Sequence, residues 1–244
     1  MKNRSLGALA AAAALGGALV ARWAYRDYKA WRSLGPGGLP PTPRGWLRGT
    51  IWRLQMTDPL STRRFIRTSA DVSLLADLEP RKLPRPRIAP HPVPHRQLDQ
   101  RVGGDLLEAL RSLFDRKVEA NGDAMHYQMS YFEKHNPAVT IREGCDLCGD
   151  AAATHGEVAH IHPSDGSMHM VLSPTDATAI LEKGWGERHG LSGIKLGIPD
   201  TYLLIYAPRS EEELGPIALI LDASIAHMLA STIPRASRPP RAPA

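Results

Sequence analysis

Residues 157–172, EVAHIHPSDGSMHMVL, determine the fold that we expect for this chain of 244 residues. The two ends of the stretch, Glu157–His162 and Ser167–Leu172, are short and mainly apolar, with the length typical of β-strands. The tetrapeptide Pro163–Gly166 between them has the composition of a tight turn. The stretch therefore predicts an antiparallel β-hairpin.

Three segments around the hairpin have the pattern of helices. Apolar residues recur at helical spacing in Leu106–Val118. Ser173–Gly184 begins with a capping serine followed by proline, and it ends at a glycine. Ser210 and Glu213 are spaced as a second capping box, which opens a predicted helix that continues to Met228.

Two further segments have the character of strands. Apolar and polar residues alternate in Met125–Tyr131, and we expect its methionines and tyrosines to lie in the core. Thr201–Tyr206 is predicted as a third strand in the C-terminal half, and Cys145–Thr154 is predicted as a loop. The whole pattern indicates an α+β fold, in which helices pack on a mostly antiparallel sheet.

Composition divides the chain into four parts. Gly35–Pro43 is rich in glycine and proline, and the six prolines of Pro80–Pro94 indicate an extended chain that wraps a surface. We expect an N-terminal membrane anchor with a basic flank (1–34), a Pro/Gly-rich neck with short helices (35–97), an α+β domain (98–233) and a disordered tail (234–244).

The N-terminus predicts a single transmembrane helix. Leu6–Ala21 carries no charge and spans about 24 Å as a helix, and Trp23 and Tyr25 can extend it toward the ~30 Å of a bilayer core. Basic residues after this run outnumber those before it, which favours a body on the cytosolic side. A cleavable signal peptide and a soluble helix are the alternatives.

Composition and motifs exclude several classes of protein. The first half of the chain is basic and the second half acidic, unlike a uniformly basic nucleic-acid-binding protein, so we expect no nucleic-acid partner. Cys145 and Cys148 are the two cysteines, too few for a disulfide framework or a four-cysteine zinc site. The sequence has neither a phosphate-binding glycine loop nor a nucleophile-elbow serine.

Histidines on the predicted hairpin are the residues most suited to chemistry. His160 and His162 are two apart, so they share one face of a strand, and His169 lies on the partner strand. His189 is a fourth member. Such imidazoles could hold zinc, iron or copper, or one could act as a general base, with Arg188 or Arg209 stabilising the resulting anion. They could also be hydrogen-bonded residues without catalytic role.

Two histidines of the proline-rich segment, His91 and His95, are predicted to lie in a loop without functional importance.

Four motifs occur in an order and spacing that resemble the fungal luciferase family: VAHIH (158–162), SMHM (167–170), KGWGERH (183–189) and YAPRSEEE (206–213). The resemblance implies an enzyme anchored in an intracellular membrane, the endoplasmic reticulum. It implies that molecular oxygen is the co-substrate and a 3-hydroxy-2-pyrone the substrate. Oxygen adds to the pyrone, and the resulting cyclic peroxide loses carbon dioxide.

The resemblance also assigns site residues, and it leaves the cofactor open between none and a metal. His160, His162, His169, His189 and Arg188 become the catalytic candidates. Trp185 becomes a pocket wall, Tyr206 a substrate contact, and Arg209 an anion partner or a neighbour of a helix cap.

The expected activity is that of a luciferase-like oxygenase on a small 3-hydroxypyrone or a phenolic, polyketide-like molecule. Most relatives in that family do not emit light, so we expect none here. The alternatives are a catalytically silent, membrane-anchored module that binds a small molecule or a protein, and a metal-dependent hydrolase or isomerase.

Overall fold

Helices pack against one main β-sheet in the computed structural model, which describes residues 2–65 and 72–234. The helices are α1 (Lys2–Arg32), α2 (Pro43–Arg53), α3 (Gly104–Ala120), α4 (Gly149–Ala153), α5 (Pro174–Lys183) and α6 (Leu214–Ala230), with a 3₁₀ turn at Glu211–Glu213. The strands are β1 (Met125–Met129), β2 (Pro137–Ile141), β3 (Cys145–Leu147), β4 (Glu157–Ile161), β5 (Met168–Val171), β6 (Gly186–Arg188), β7 (Tyr202–Ile205) and β8 (Thr232–Pro234).

The main sheet has the order β1-β2-β4-β5-β7-β6, and all its pairings are antiparallel. Strands β4 and β5 form the predicted hairpin, with His160 directly opposite His169. Strands β3 and β8 pair separately. The predicted α+β fold with a mostly antiparallel sheet is therefore confirmed.

Alternation along the strands gives the sheet two different faces. Met168 and Met170 of β5 lie opposite Leu203 and Ile205 of β7, and all four belong to the main hydrophobic core, as do residues of α6. The intervening His169 lies on the other face. His169 thus lies on the face opposite the core because it is one residue away from the core-facing Met168 and Met170.

Local signals explain the ends of α5. The Ser173 hydroxyl accepts a hydrogen bond of 3.1 Å from the Asp176 amide, and Gly184 ends the helix with φ 81°. The second predicted capping box is wrong. Ser210 makes no capping hydrogen bond, and the Glu213 carboxylate instead accepts hydrogen bonds from Arg81 and Arg209.

Two other predictions fail at the edge of the sheet. Met125 is buried, but Tyr127, Met129 and Tyr131 are exposed, because β1 is an edge strand with one side open to solvent. The segment predicted as a loop at 145–154 contains β3 and α4.

The Pro/Gly-rich neck packs closely on the rest of the chain. A second hydrophobic cluster joins residues of α1, α2, the neck and the loop after β6, with Trp31, Trp52, Val93 and Leu191 among its members. The Trp31 indole Nε1 donates a hydrogen bond of 2.8 Å to the Val93 carbonyl. The prolines of this segment therefore cover a surface, as predicted. Residues 235–244 of the predicted tail lie outside the described residues.

One helical stretch of the described residues, Glu211–Ala230, is long and apolar enough to cross a membrane. Several of its residues are buried in the main core, among them Ile217, Ile220 and Leu221, which is the environment of a core helix. The span predicted at Leu6–Ala21 falls within α1, whose side chains are described only from residue 11 onward. The transmembrane assignment stays a prediction.

Candidate functional site

Three histidines converge on the face of the β4–β5 hairpin opposite the main core. The Nε2 atoms of His160 and His162 are 3.2 Å apart, and one ligand atom from each of His160, His162 and His169 lies within 4.8 Å of the others. All three side chains are buried. The predicted convergence is confirmed, while the catalytic role of these residues stays a prediction.

Each of these rings is oriented through its Nδ1 atom. His160 Nδ1 lies 2.6 Å from the Glu157 carboxylate, and His162 Nδ1 lies 2.8 Å from the Ser167 hydroxyl oxygen. His169 Nδ1 lies 3.0 Å from the Leu203 carbonyl oxygen. Because each Nδ1 atom has a partner, the Nε2 atom is the ring nitrogen that each histidine has left for a ligand.

A second layer of hydrogen bonds holds Glu157, the acidic partner of His160. Glu157 accepts hydrogen bonds from the Ser130 hydroxyl and, at 2.8 Å, from the Tyr131 amide. Burial alone would raise the pKa of Glu157, but the neighbouring His160 and these hydrogen bonds outweigh it and lower that pKa. The carboxylate therefore stays charged beside the ring that it orients.

Burial favours the neutral form of His162, His169 and His189. It lowers the pKa of His162, His169 and His189 well below the usual value of 6.5, and nearby positive charge lowers it further. Neutral imidazole is the form that accepts a proton or binds a metal.

A cavity of about 220 Å³ adjoins this cluster. Its lining is mixed, with aromatic and aliphatic side chains beside histidines and two charged residues: Gly38, Trp52, Pro92, Val93, His95, Tyr131, Phe132, Glu133, Lys134, His169, His189, Leu196, Ile198 and Tyr202. His169 connects the cavity to the three-histidine cluster, and its ring stacks on Tyr202 at 4.6 Å between centroids.

His189, predicted as a fourth member of the histidine group, lines the cavity, and both its ring nitrogens have partners. Its Nδ1 accepts a hydrogen bond of 3.2 Å from the Leu191 amide, and it is also hydrogen-bonded to the Pro92 backbone. His189 therefore connects two backbone segments of the cavity wall, and its Nδ1 lone pair is already used by the Leu191 amide.

His95, which was predicted to lie in a loop without functional importance, lines the cavity. Its ring is buried between His169 and His189, at centroid distances of 5.4 and 4.9 Å. His95 Nε2 lies 3.4 Å from a Glu187 carboxylate oxygen, and the Tyr206 hydroxyl donates to the other oxygen of Glu187 at 3.1 Å. His95 Nδ1 is buried and has no hydrogen-bond partner among the described residues. His91, in contrast, does not line the cavity.

Arg188 lies on the wrong face of the sheet for the predicted anion site. Adjacent strand residues point to opposite faces, so Arg188 and His189 diverge. The Arg188 guanidinium donates at 3.1 Å to both Asp200 and the Ser192 carbonyl, and it packs over the Phe65 ring. Its positive charge is thus paired with Asp200, outside the cavity lining.

The three substrate-binding candidates do not line the cavity either. The Trp185 indole donates at 2.7 Å to the Glu79 carbonyl, within the main core. Arg209 forms an ion pair with Glu213, in agreement with its alternative role as a neighbour of a helix cap. Tyr206 is connected to the cavity wall through Glu187 and His95, because its hydroxyl donates a hydrogen bond to Glu187.

Sequence reasoning missed several residues of the site. Glu187 of β6 precedes His189, the residue just after that strand, by two positions, so strand alternation could have placed it on the histidine face. Glu133, which lines the cavity and pairs with the buried Arg96, had no such signal. Among the described residues, the group able to hold a metal is the histidine cluster, and Cys148 is a free thiol outside it.

The fold and the site together define an α+β protein whose sheet carries a buried histidine cluster beside a small, partly aromatic cavity. Residues 155–224, which include the hairpin histidines and His189, match the family model described as "Luciferase domain".

Curated relatives extend the match over most of the chain. A luciferase of Armillaria ostoyae and one of Armillaria mellea are each 31% identical, covering 93% of this chain and 90% of the relative. A luciferase of Neonothopanus nambi is 31% identical over 83% of this chain and 80% of its own length. No solved structure shows significant similarity. The chain belongs to the fungal luciferase family.

Proposed function

We propose that the protein is a luciferase-like oxygenase that uses molecular oxygen on a small 3-hydroxypyrone, or on a related phenolic, polyketide-like molecule. The single observation that carries this proposal is the cavity into which a carboxylate-oriented imidazole, His95, is built. Membership of the luciferase family supports the same class of activity. We also propose that the reaction emits no light.

The size of the cavity favours a small substrate. About 220 Å³ lies below the range of roughly 300–1,000 Å³ common for ligand pockets. A single oxygen-bearing ring with a short substituent suits such a space. Apolar wall residues, among them Trp52, Phe132 and Ile198, exclude water from the bound ring.

His95 is suited to remove the proton of an enolic hydroxyl. Glu187 accepts a hydrogen bond from His95 Nε2–H, which leaves the buried Nδ1 atom with a lone pair that no donor among the described residues uses, and Tyr206 holds Glu187 in place. Lys134, on the same wall, supplies positive charge for the enolate that forms. This replaces Arg188 and Arg209 as the anion partner.

The reaction needs no external electron donor. One oxygen atom of O₂ bonds to the ring carbon next to the lactone carbonyl, and the second oxygen closes a four-membered cyclic peroxide on the lactone carbonyl carbon. The O–O bond and the C–C bond between these two carbons break, which turns the first carbon, the one that bears the 3-hydroxyl group, into a carboxyl group. The lactone C–O bond then breaks, so the former carbonyl carbon leaves as carbon dioxide and the ring oxygen keeps the bonding pair as an enolate. One O₂ is consumed for each CO₂ released, and the electrons that reduce oxygen come from the ring carbons.

The test measures oxygen consumption, CO₂ release and light with a series of 3-hydroxy-2-pyrones and catechols. We expect one O₂ per CO₂, and turnover reduced by roughly 100-fold or more in His95→Gln, as for loss of a general base. His126→Gln on β1, outside the cavity lining, is the matched control.

Two results would contradict the proposal. A His95→Gln variant at the control's rate would remove His95 from the chemistry. Binding of these molecules without any oxygen consumption would identify the silent binding module instead.

We also propose that α1 anchors the protein as a single-pass helix in an intracellular membrane, the endoplasmic reticulum, with the body in the cytosol. Its apolar side chains Leu15, Leu19 and Val20 are exposed, and Trp23 follows them. On α2, Leu47 and Ile51 are exposed as well. An apolar helix that emerges from the body beside a second apolar surface suits a bilayer.

The anchor is tested by alkaline extraction of cell membranes that contain the full chain. We expect the protein to stay in the membrane pellet, and Leu15→Lys/Leu19→Lys to release it. A matched double substitution on the body, Tyr127→Lys/Met129→Lys, should leave it in the pellet. Extraction of the unaltered chain would refute the anchor.

A further inference from the structure

We propose that His160, His162 and His169 bind one divalent transition-metal ion through their Nε2 atoms. This inference rests on the geometry of the cluster and does not depend on the proposed reaction. It adds a site to the cavity, on the side that His169 lines.

The spacing of the nitrogens matches metal ligation. Imidazole nitrogens bind zinc at about 2.0–2.1 Å. Two such atoms 3.2 Å apart, as in His160 and His162, subtend roughly 100–105° at a shared ion, close to the tetrahedral angle. The His169 atom lies within 4.8 Å of both, so closure of the site needs a ring movement on the order of 1 Å.

The hydrogen bonds at Nδ1 select the tautomer that a metal requires. The Leu203 carbonyl can only accept, so His169 carries its proton on Nδ1. The Ser167 hydroxyl donates to Asp165 and is left to accept from His162.

His160 donates in the same way to the Glu157 carboxylate at 2.6 Å. Each Nε2 atom is then a bare acceptor. A carboxylate, a hydroxyl backed by a carboxylate and a carbonyl are the partners that orient ligating histidines in metal proteins.

Three carboxylates and one guanidinium, that of Arg96, lie around the cluster, so the fixed charge there favours a cation. Glu133 lies 4.0 Å from His162 Nε2, and Glu157 and Asp165 lie directly behind the rings. All of these side chains are buried. Three nitrogen ligands with a further position open to substrate are the arrangement of a catalytic rather than a purely structural metal site.

A metal-free explanation of the cluster exists and is distinguishable. His160 could carry both protons as an imidazolium paired with Glu157, and donate from Nε2 to His162 across the 3.2 Å contact. This arrangement holds no ion, so the two explanations differ in metal content.

The experiment begins with full-length protein in detergent, dialysed against buffer with zinc, iron(II), copper or cobalt(II) in turn. Elemental analysis should find one ion per chain for at least one of them. Cobalt(II) should give the visible absorption of a nitrogen-ligated, four- or five-coordinate ion. No substrate is added, so failure of the proposed oxygenase reaction would leave this readout unaffected.

Variants identify the ligands. His162→Ala should lose the ion, whereas His126→Ala, on β1, should retain it. If His162→Ala does not fold, Ser167→Ala keeps all three ligands and removes only the partner of His162. Its affinity for cobalt(II), measured by competition with a chromophoric chelator, should fall about 10–100-fold.

Two results would overturn the inference. Folded wild-type protein that holds less than about a tenth of an equivalent of every one of these metals would establish the metal-free imidazolium arrangement. Equal cobalt(II) affinity in Ser167→Ala and His126→Ala, together with a full equivalent in His162→Ala, would place the ion elsewhere.

Discussion

The buried ion pair between Arg96 and Glu133 joins the neck to the loop between β1 and β2, and we expect it to contribute to the free energy of unfolding. Arg96 lies in the neck and is 2% exposed, and its guanidinium forms a salt bridge with Glu133, between β1 and β2. It also donates to the His95 carbonyl at 3.0 Å and to the Pro36 carbonyl at 2.9 Å. One side chain thus connects two parts of the neck to the wall of the cavity.

Arg96→Met should destabilise the protein because it leaves the Glu133 carboxylate buried without its partner. Loss of one member of a buried pair typically costs about 3–5 kcal/mol. At about 2–4 °C per kcal/mol for a chain of this size, the melting temperature should fall by roughly 6–20 °C. Met preserves most of the volume, so the loss reflects charge and hydrogen bonding.

The assay is urea unfolding of the wild type, Arg96→Met, Glu133→Gln and the double variant. The double variant leaves neither charge without a partner. Its loss of unfolding free energy should therefore be smaller than the sum of the two single losses by at least about 1 kcal/mol. Strictly additive losses, or less than about 1 kcal/mol for Arg96→Met, would refute the reasoning.

Three further predictions concern the helices and the sheet, and each is read from unfolding curves. Ser173→Ala removes the cap of α5 and should cost about 0.5–2 kcal/mol, with Ser173→Thr close to the wild type because its hydroxyl can keep both bonds to Asp176; equal losses would argue against a capping role. Gly186→Ala would place a Cβ 2.5 Å from the Leu204 carbonyl oxygen, so a loss of at least about 1 kcal/mol is expected, and an unchanged midpoint would contradict that contact. Burial raises the pKa of Glu213, but the hydrogen bonds from Arg81 and its neighbours outweigh burial and lower it. The stabilisation by Glu213 is therefore present above its usual pKa of about 4.5 and is lost as the pH falls toward the lowered value. Glu213→Gln should flatten the acid limb of the stability curve, and a curve parallel to the wild type would refute the coupling.

Local rules predicted the parts of this protein that short stretches of chain encode. The hairpin follows from two apolar segments around a turn, and its histidines converge because strand alternation acts on residues two apart and on cross-strand neighbours. The cap of α5 depends on contacts across three residues. Such features need only near neighbours in the chain, so the sequence was enough to place them.

Long-range contacts decided the rest of the site. His95 meets Glu187 across 92 residues of chain, and Arg96 meets Glu133 across 37. No local pattern encodes such distances, since they depend on how the neck packs on the finished sheet. Packing of the neck on the sheet therefore places His95, next to Pro94, in the wall of the cavity. Arg188 lies on the opposite face because it pairs with Leu203 of β7, whose side chain belongs to the main core. The contact between His95 and Glu187 forms only where the neck and β6, two distant segments of the chain, pack together.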